Sequence, residues 1–281
     1  MNKRNLAGLA AVALMTVSFS SCSDENDDDI TPKFTRITEY FEGSAVANFH
    51  ADLSYDGQGR LILYNEVSDP ATPVYGLSFQ YSGTDSKPIT AHYDITDHHF
   101  TYNADGRLIK DSVLVNDGIG TDFTEVRLIS YPSNFLIVVN SSTTGPGMGG
   151  ASQLRQDSIT TDLRGNATQL KSYQQTPLGT LYLHTFTTWQ YDNNKNPFGQ
   201  LNVFPVFQPG FLDVYFSMSN RLLLQKNNCL SSSSRFYDET GTQLGADGWT
   251  FIPVYEDDKI TETVANRTGA SDSYRYVFSY Q

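Results

Sequence analysis

The sequence predicts an all-β chain, an antiparallel meander of hairpins forming a curled sheet or barrel-like domain, and three observations carry that prediction. First, Ala47, Phe49, Ala51, Leu53 and Tyr55 alternate with Asn48, His50, Asp52 and Ser54. A period of two places one apolar and one wet face on a strand, the pattern of an antiparallel sheet with one side buried. The alternation returns at Leu77, Phe79 and Tyr81, and at Tyr274, Tyr276, Phe278 and Tyr280. Second, one turn motif recurs along the chain. Third, aromatics make up 13% of the residues and Thr and Val are abundant, as strands favour.

The elements follow in order. Lys3 and Arg4 precede an apolar run from Leu6 to Val17, the n- and h-regions of a secretory signal over residues 1–21. The run is too short to serve as a lasting bilayer-spanning helix. It ends at Phe19-Ser20-Ser21-Cys22, small residues before a cysteine, which predicts lipidation of Cys22 and cleavage after Ser21. Acyl chains hold a protein at a membrane because each buried methylene contributes roughly 0.8 kcal/mol. Residues 22–34 then form an acidic tether that opens Ser23-Asp24-Glu25-Asn26-Asp27-Asp28-Asp29. The stretch resembles the export tag that sends Bacteroidota lipoproteins to the cell surface. Its carboxylates lack the spacing of a calcium loop. The tether leads into a single antiparallel β domain over residues 35–281.

Further strands are expected at 60–67, 107–115, 124–131, 134–140, 152–161, 166–174, 180–191, 212–218, 234–238, 249–255 and 259–265. The turns between them are specific. Tyr55-Asp56-Gly57-Gln58-Gly59-Arg60-Leu61 is echoed by Tyr102-Asn103-Ala104-Asp105-Gly106-Arg107-Leu108, and more loosely at Tyr237 to Leu244 and at Asp162 to Asn166. Asp or Asn bonds its own downstream backbone, and Gly supplies the positive φ of a tight turn. The arginine is expected beside the aromatic of the preceding strand. Thr143 to Gly150 is Gly-rich but lacks the Lys-Ser/Thr of a phosphate loop, so it reads as a long hairpin loop.

Tyr191-Asp192-Asn193-Asn194-Lys195-Asn196-Pro197-Phe198, followed by Lys226-Asn227-Asn228, resembles a Bacteroidota lipoprotein family of unknown function with a porin-like β fold. The shared layout is lipidated cysteine, acidic tether, Tyr-Asp-x-x-Gly-Arg-Leu hairpins, this Asn-Pro-Phe segment and a closing aromatic strand. The chain departs from the family at Asn194, where Lys is frequent, and at Cys229, where a small aliphatic residue is usual. The resemblance implies the architecture and brings no catalytic residues. Asn196-Pro197 should end a strand. The rigid stretch Phe204, Pro205, Phe207, Pro209 and Phe211 should plug one end of a barrel. Short strands with exposed Asn, Asp and Ser argue against a barrel embedded in lipid.

Composition narrows the function. Without the signal the chain carries 17 basic and 31 acidic residues, a formal charge of −14, and no basic cluster, so nucleic acid is excluded as a partner. Cys229 is the one thiol left after lipidation, has no local His partner and reads as a buried structural thiol. No cofactor motif is present. His92, Asp94 and His98, in His92-Tyr93-Asp94-Ile95-Thr96-Asp97-His98-His99, would share one face of a strand and suit a transition metal, although a solvated hairpin loop accounts for them as well. Asp213 is the carboxylate inside an apolar run that a glycosidase pair would use, but no second acid or nucleophile motif accompanies it. Trp189 and Trp249 are candidates for stacking on sugar faces, against the alternative of core packing. The expected protein is therefore an outer-membrane lipoprotein on the cell surface, acting as a non-enzymatic binding module for a glycan or an envelope partner. The alternative is a structural or adhesion protein; a surface hydrolase ranks third.

Overall fold

The computed structural model describes residues 33–41, 43–67, 75–116, 122–146, 153–201 and 225–281. The signal, Cys22, the acidic run, Asp213, the expected strand 212–218 and the Phe204–Phe211 stretch lie outside the described residues. Sixteen strands form one closed antiparallel barrel in which each strand pairs with its neighbour in sequence and β1 pairs with β16. They are β1 (Phe34–Phe41), β2 (Phe49–Tyr55), β3 (Leu61–Val67), β4 (Tyr75–Tyr81), β5 (Pro88–Tyr93), β6 (Thr96–Tyr102), β7 (Leu108–Val115) and β8 (Phe123–Ser133). The second half comprises β9 (Leu136–Thr144), β10 (Gln153–Thr161), β11 (Ala167–Gln175), β12 (Leu181–Lys195), β13 (Asn227–Tyr237), β14 (Gln243–Glu256), β15 (Lys259–Arg267) and β16 (Ser273–Tyr280). The meander is as expected, and the sheet closes. Closure is sealed by reciprocal backbone bonds between Lys33 and Gln281, at 2.9 and 2.8 Å. Three strands were not anticipated: β1, and the hairpin of β5 and β6. Lys33 and Phe34, assigned to the tether, belong to the barrel wall.

Alternation decides what faces inward. Ile37, Ala51 and Leu77 are fully buried, whereas their strand neighbours Arg36, Asp52 and Ser78 are not. In a closed sheet the buried face is the lumen. The outer face is mixed: Leu128 and Ile252 are exposed on it, and it also carries ion pairs, in which Asp52 accepts from Arg36 at 2.5 and 2.9 Å and Glu262 from Arg275 at 3.3 Å. A Lys or Arg facing lipid at the bilayer midplane would cost about 2–4 kcal/mol.

Tight turns at 56–60, 103–107 and 162–166 mark the rim at which the chain enters. Asp56 Oδ1 accepts from the backbone N–H of Gln58 and Arg60, and Asp162 Oδ1 from those of Arg164 and Asn166, each at 2.9 Å. Gly59 and Gly106 supply the positive φ, at 78° and 72°. Beside each turn a second device repeats. Six tyrosines, Tyr55, Tyr81, Tyr102, Tyr131, Tyr191 and Tyr280, donate to a carbonyl at the start of the preceding strand, the first residue in five cases and the second, Ile260, for Tyr280, at 2.5–2.9 Å. A cation one residue before that carbonyl then lies over the same ring: Lys33 on Tyr55, Arg60 on Tyr81, Lys87 on Tyr102 and Arg107 on Tyr131. The turn arginine therefore stacks on the tyrosine of the following hairpin, not on the preceding strand as the sequence suggested. Burial pushes the Tyr55 hydroxyl up to about 12, so it remains a donor at neutral pH.

The interior is graded. Near this rim it is an apolar floor of Phe34, Leu61, Phe79, Leu108, Ile159 and Phe278. Phe198, carried inward by a turn of 3-10 helix at Pro197–Gln200, packs on Phe34 with ring centroids 4.9 Å apart. An asparagine clasp holds that turn. Asn227 N–H and Asn166 Nδ2 donate to Asn166 Oδ1 and Asn227 Oδ1 at 2.9 and 2.8 Å, and Asn196 N–H reaches Lys226 O at 2.8 Å. Asn228 and Tyr255 both bond Asp192. Gly199 sits so close that a Cβ would lie 2.5 Å from Lys226 Cα, so no larger residue fits. The Tyr-Asp-x-x-Lys-Asn-Pro-Phe and Lys-Asn-Asn segments are thus two halves of one structural joint.

Charged groups also enter the lumen. Asp111, fully buried, lies between His98 Nδ1 at 3.1 Å and Arg127 at 3.3 Å, and Arg127 continues to Glu125. On β1, Glu39 is fully buried and accepts from Asn48 at 2.7 Å, while on β3 Glu66 accepts from Tyr64 at 3.1 Å. Burial, with the nearby Glu39 charge, raises the Glu66 carboxyl from 4.5 to about 7.

Two predictions follow from this packing. Tyr102→Phe and Tyr280→Phe should each lower stability by about 1 kcal/mol in urea titration, because a buried carbonyl loses its donor; unchanged midpoints would mean the tyrosine bonds are idle. Glu66 holds its proton more tightly in the folded than in the unfolded chain. Its contribution to stability is therefore complete below pH 4.5 and lost as pH rises through about 7. Glu66→Gln should flatten that fall and leave the variant more stable than the parent at alkaline pH.

Candidate binding site at the mouth of the barrel

At the opposite end the lumen changes character. The strands of β12, β13 and β14 are among the longest, at 15, 11 and 14 residues. Register then places sequence-distant residues side by side. Trp189 on β12 faces Ser232 on β13, Ser232 faces Trp249 on β14, and Trp249 faces Arg267 on β15. All four share the inward face, so the two indoles flank one serine about 10 Å apart, two strand spacings. Both tryptophans singled out from sequence are thereby brought to one surface.

Trp249 opens a row of aromatics along the mouth. Its ring lies 6.0 Å from Tyr274, which lies 5.1 Å from Phe41, itself 50% exposed. The row crosses β14, β16 and β1, and neither Tyr274 nor Phe41 carries any local signal that would have identified it. Asp247 organises the polar edge. It accepts from Trp249 Nε1 at 3.2 Å and from Arg267 Nε at 2.9 Å, and Arg267 also reaches Asp272 at 3.3 Å. Its hydrogen bonds to these two carboxylates raise the pKa of the Arg267 guanidinium above its ordinary value. The result is a part-exposed aromatic row whose indole edge is held by a carboxylate, an arrangement able to stack flat apolar faces beside polar groups.

Trp189 is deeper, 7% exposed, and its Nε1–H meets no acceptor among the described residues. An unmade buried donor costs about 1–3 kcal/mol. Thr187 and Ser234, next along the same face, bond each other at 2.8 Å.

The metal trio is not assembled as the sequence suggested. A two-residue turn places Asp94 at φ 51° between β5 and β6, so His92 and His98 fall on different strands. His92 points outward and pairs with Asp97 at 2.7 Å; His98 is buried in the lumen against Asp111. Among the described residues no three such side chains converge on a metal position. Cys229 is buried, and desolvation pushes its thiol up to about 12, so it is an unreactive packing residue. It lines a cavity of about 10 Å³ with Phe198 and Phe251, room for no more than a water.

No family model matches the chain, and no curated protein matches it. Solved structures do resemble it. A porin-like protein from Bacteroides vulgatus superposes with a TM-score of 0.58 at 15% identity, over 89% of this chain and 99% of that one. A porin-like protein from Bacteroides uniformis gives 0.47 at 15% identity, over 88% and 96%. The first likeness supports a shared porin-like barrel fold across nearly the whole of both chains.

Proposed function

We propose that this chain is a lipid-anchored, surface-exposed lipoprotein of a Gram-negative outer membrane, acting as a non-enzymatic binding module with a glycan site at its mouth. The observation that carries the reading is the half-exposed row Phe41, Tyr274 and Trp249, braced at its edge by Asp247 and Arg267. Flat rings beside fixed polar groups suit sugars, which present apolar faces and hydroxyl rims. The anchor at Cys22 would tether the barrel to the membrane through the acidic run. Ion pairs on the outer wall, Arg36 with Asp52 and Arg275 with Glu262, fit a barrel standing in water on a lipid tether. The porin-like proteins it resembles supply the fold and not a transport role.

A structural or adhesion role is the second reading, favoured by the burial of Trp189 and by the rim tyrosines, whose hydroxyls are spent on backbone carbonyls. An envelope protein would then be the partner. The hydrolase reading is weaker. Glu39 and Glu66 are inward carboxyls of unlike setting, but Glu39 is wholly buried and out of reach of a substrate.

The test uses intact cells displaying an epitope-tagged chain, laid over a printed glycan array. Cells carrying the parent chain should adhere to a subset of glycans. Cys22→Ala should abolish both surface antibody staining and adhesion, whereas Trp249→Ala should retain staining and lose adhesion. Silence over the whole array despite full surface staining would sink the glycan reading in favour of the structural one.

A further inference from the structure

The polar edge of the aromatic row narrows the class of glycan, an inference that rests on the glycan reading above. Register sets Arg267 of β15 beside Trp249 of β14, and Phe41 of β1 beside Tyr274 of β16. Asp272 immediately precedes β16, and its carbonyl accepts from Arg267 N–H at 2.9 Å. Two residues from Tyr274, it falls on the same side of the strand by alternation. Its side chain is 46% exposed, and Arg267 Nη1 donates to Oδ2 at 3.3 Å. Oδ1 accepts from nothing among the described residues. Asp247 is more fully engaged: Oδ1 accepts from Arg267 Nε and Gly248 N–H, and Oδ2 from Trp249 Nε1. The edge thus sets two carboxylates against one guanidinium, with negative charge in excess and an exposed acceptor to spare.

We propose that the row receives an amino sugar, its ring face stacked on Phe41 and Tyr274 and its ammonium held at Asp272. Rings and edge favour the same charge. An ammonium is attracted to the electron-rich face of an aromatic ring. Donation of the indole N–H to Asp247 adds electron density to the Trp249 ring and strengthens that attraction. An ammonium also brings three donors and no acceptor, a match for a carboxylate with an unused oxygen. A uronate or sulfated sugar meets the opposite. Among the described residues Arg267 is the cation beside the row, and both carboxylates already hold it. Arg275 is on the outer face, spent on Tyr40 and Glu262. Like-charge approach then raises the cost of an anion. A neutral sugar can stack on the rings but gains nothing from the excess charge.

The purified protein, titrated calorimetrically, tests this with a matched pair, a glucosamine oligomer and its N-acetylated counterpart of equal length. A manno-oligosaccharide and an oligogalacturonate serve as neutral and anionic probes, and a tri-lysine peptide as a cation without a sugar. At mildly acid pH, where its amines are charged, the glucosamine oligomer should bind about tenfold tighter than the acetylated chain, the worth of one charge-assisted bond. Added salt should narrow that gap, because exposed charges are screened. Asp272→Asn should remove most of the preference, whereas Asp105→Asn, an exposed acid on the opposite rim, should leave it intact. Phe41→Ala should weaken every sugar that binds. Both Asp272 and Phe41 are about half exposed, so neither variant endangers the fold. Equal affinity for the two matched chains, tighter binding of the anionic probe, equal losses at Asp272 and Asp105, or tri-lysine binding as tightly as the amino sugar would each overturn the inference. The glycan reading would survive any of these if a sugar still bound. No heat with any sugar would overturn that reading itself.

Discussion

Everything in this fold depends on closing the sheet. An antiparallel meander of this length has two long edges, each a row of unpaired backbone donors and acceptors. The ladder of β1 on β16, finished by the two bonds between Lys33 and Gln281, joins those edges and defines an inside. Once an inside exists, alternation sorts every strand into a wall side and a lumen side. The tyrosine bonds and the cations stacked on the rings then fix the strands at the rim where that seam ends. A tyrosine hydroxyl on a neighbouring carbonyl and a cation over the same ring are each modest, but they recur hairpin by hairpin and so hold the register of the whole rim.

The interior is divided by the same logic. On the floor side the inward positions are large and apolar, and Phe198 is folded in among them by the Asn-Pro-Phe joint. The joint is polar and deeply buried, which is tolerable only because its members satisfy one another: Asn166 with Asn227, Asn196 with Lys226, Asp192 with Asn228 and Tyr255. Toward the mouth the inward positions become Ser, Thr, Asp, Arg and exposed aromatics. Among the described residues the barrel interior is thus apolar toward one rim and increasingly polar toward the other.

Much of the wall was legible in the sequence because period-two alternation is local. The failures have physical causes. In β1 a bulge between Phe34 and Arg36 breaks the alternation just where it would have been noticed. Between β5 and β6 the turn is only Asp94-Ile95, with no glycine to mark it, so two short strands read as one polar cluster and His92 and His98 were placed on one face. The arginines of the turns were assigned to the wrong tyrosine because pairing with the next hairpin is a tertiary fact. The site was half legible. Trp189 and Trp249 were visible as rare residues, but their meeting across Ser232 rests on the register of three strands. Tyr274 and Phe41 resemble any other alternating aromatic; the register of β14 to β16 sets Tyr274 beside Trp249, and only closure sets Phe41 beside Tyr274.

The claim that organises this account is the graded interior, and the chain's two tryptophans report on it, Trp189 buried and Trp249 part exposed. Acrylamide quenching of Trp189→Phe, which leaves Trp249 to fluoresce, against Trp249→Phe, which leaves Trp189, reads both directly. The account predicts that Trp249 is quenched several-fold more readily than Trp189, in keeping with its place in the exposed row. Equal quenching of the two, or a freely accessible Trp189 beside a shielded Trp249, would contradict it.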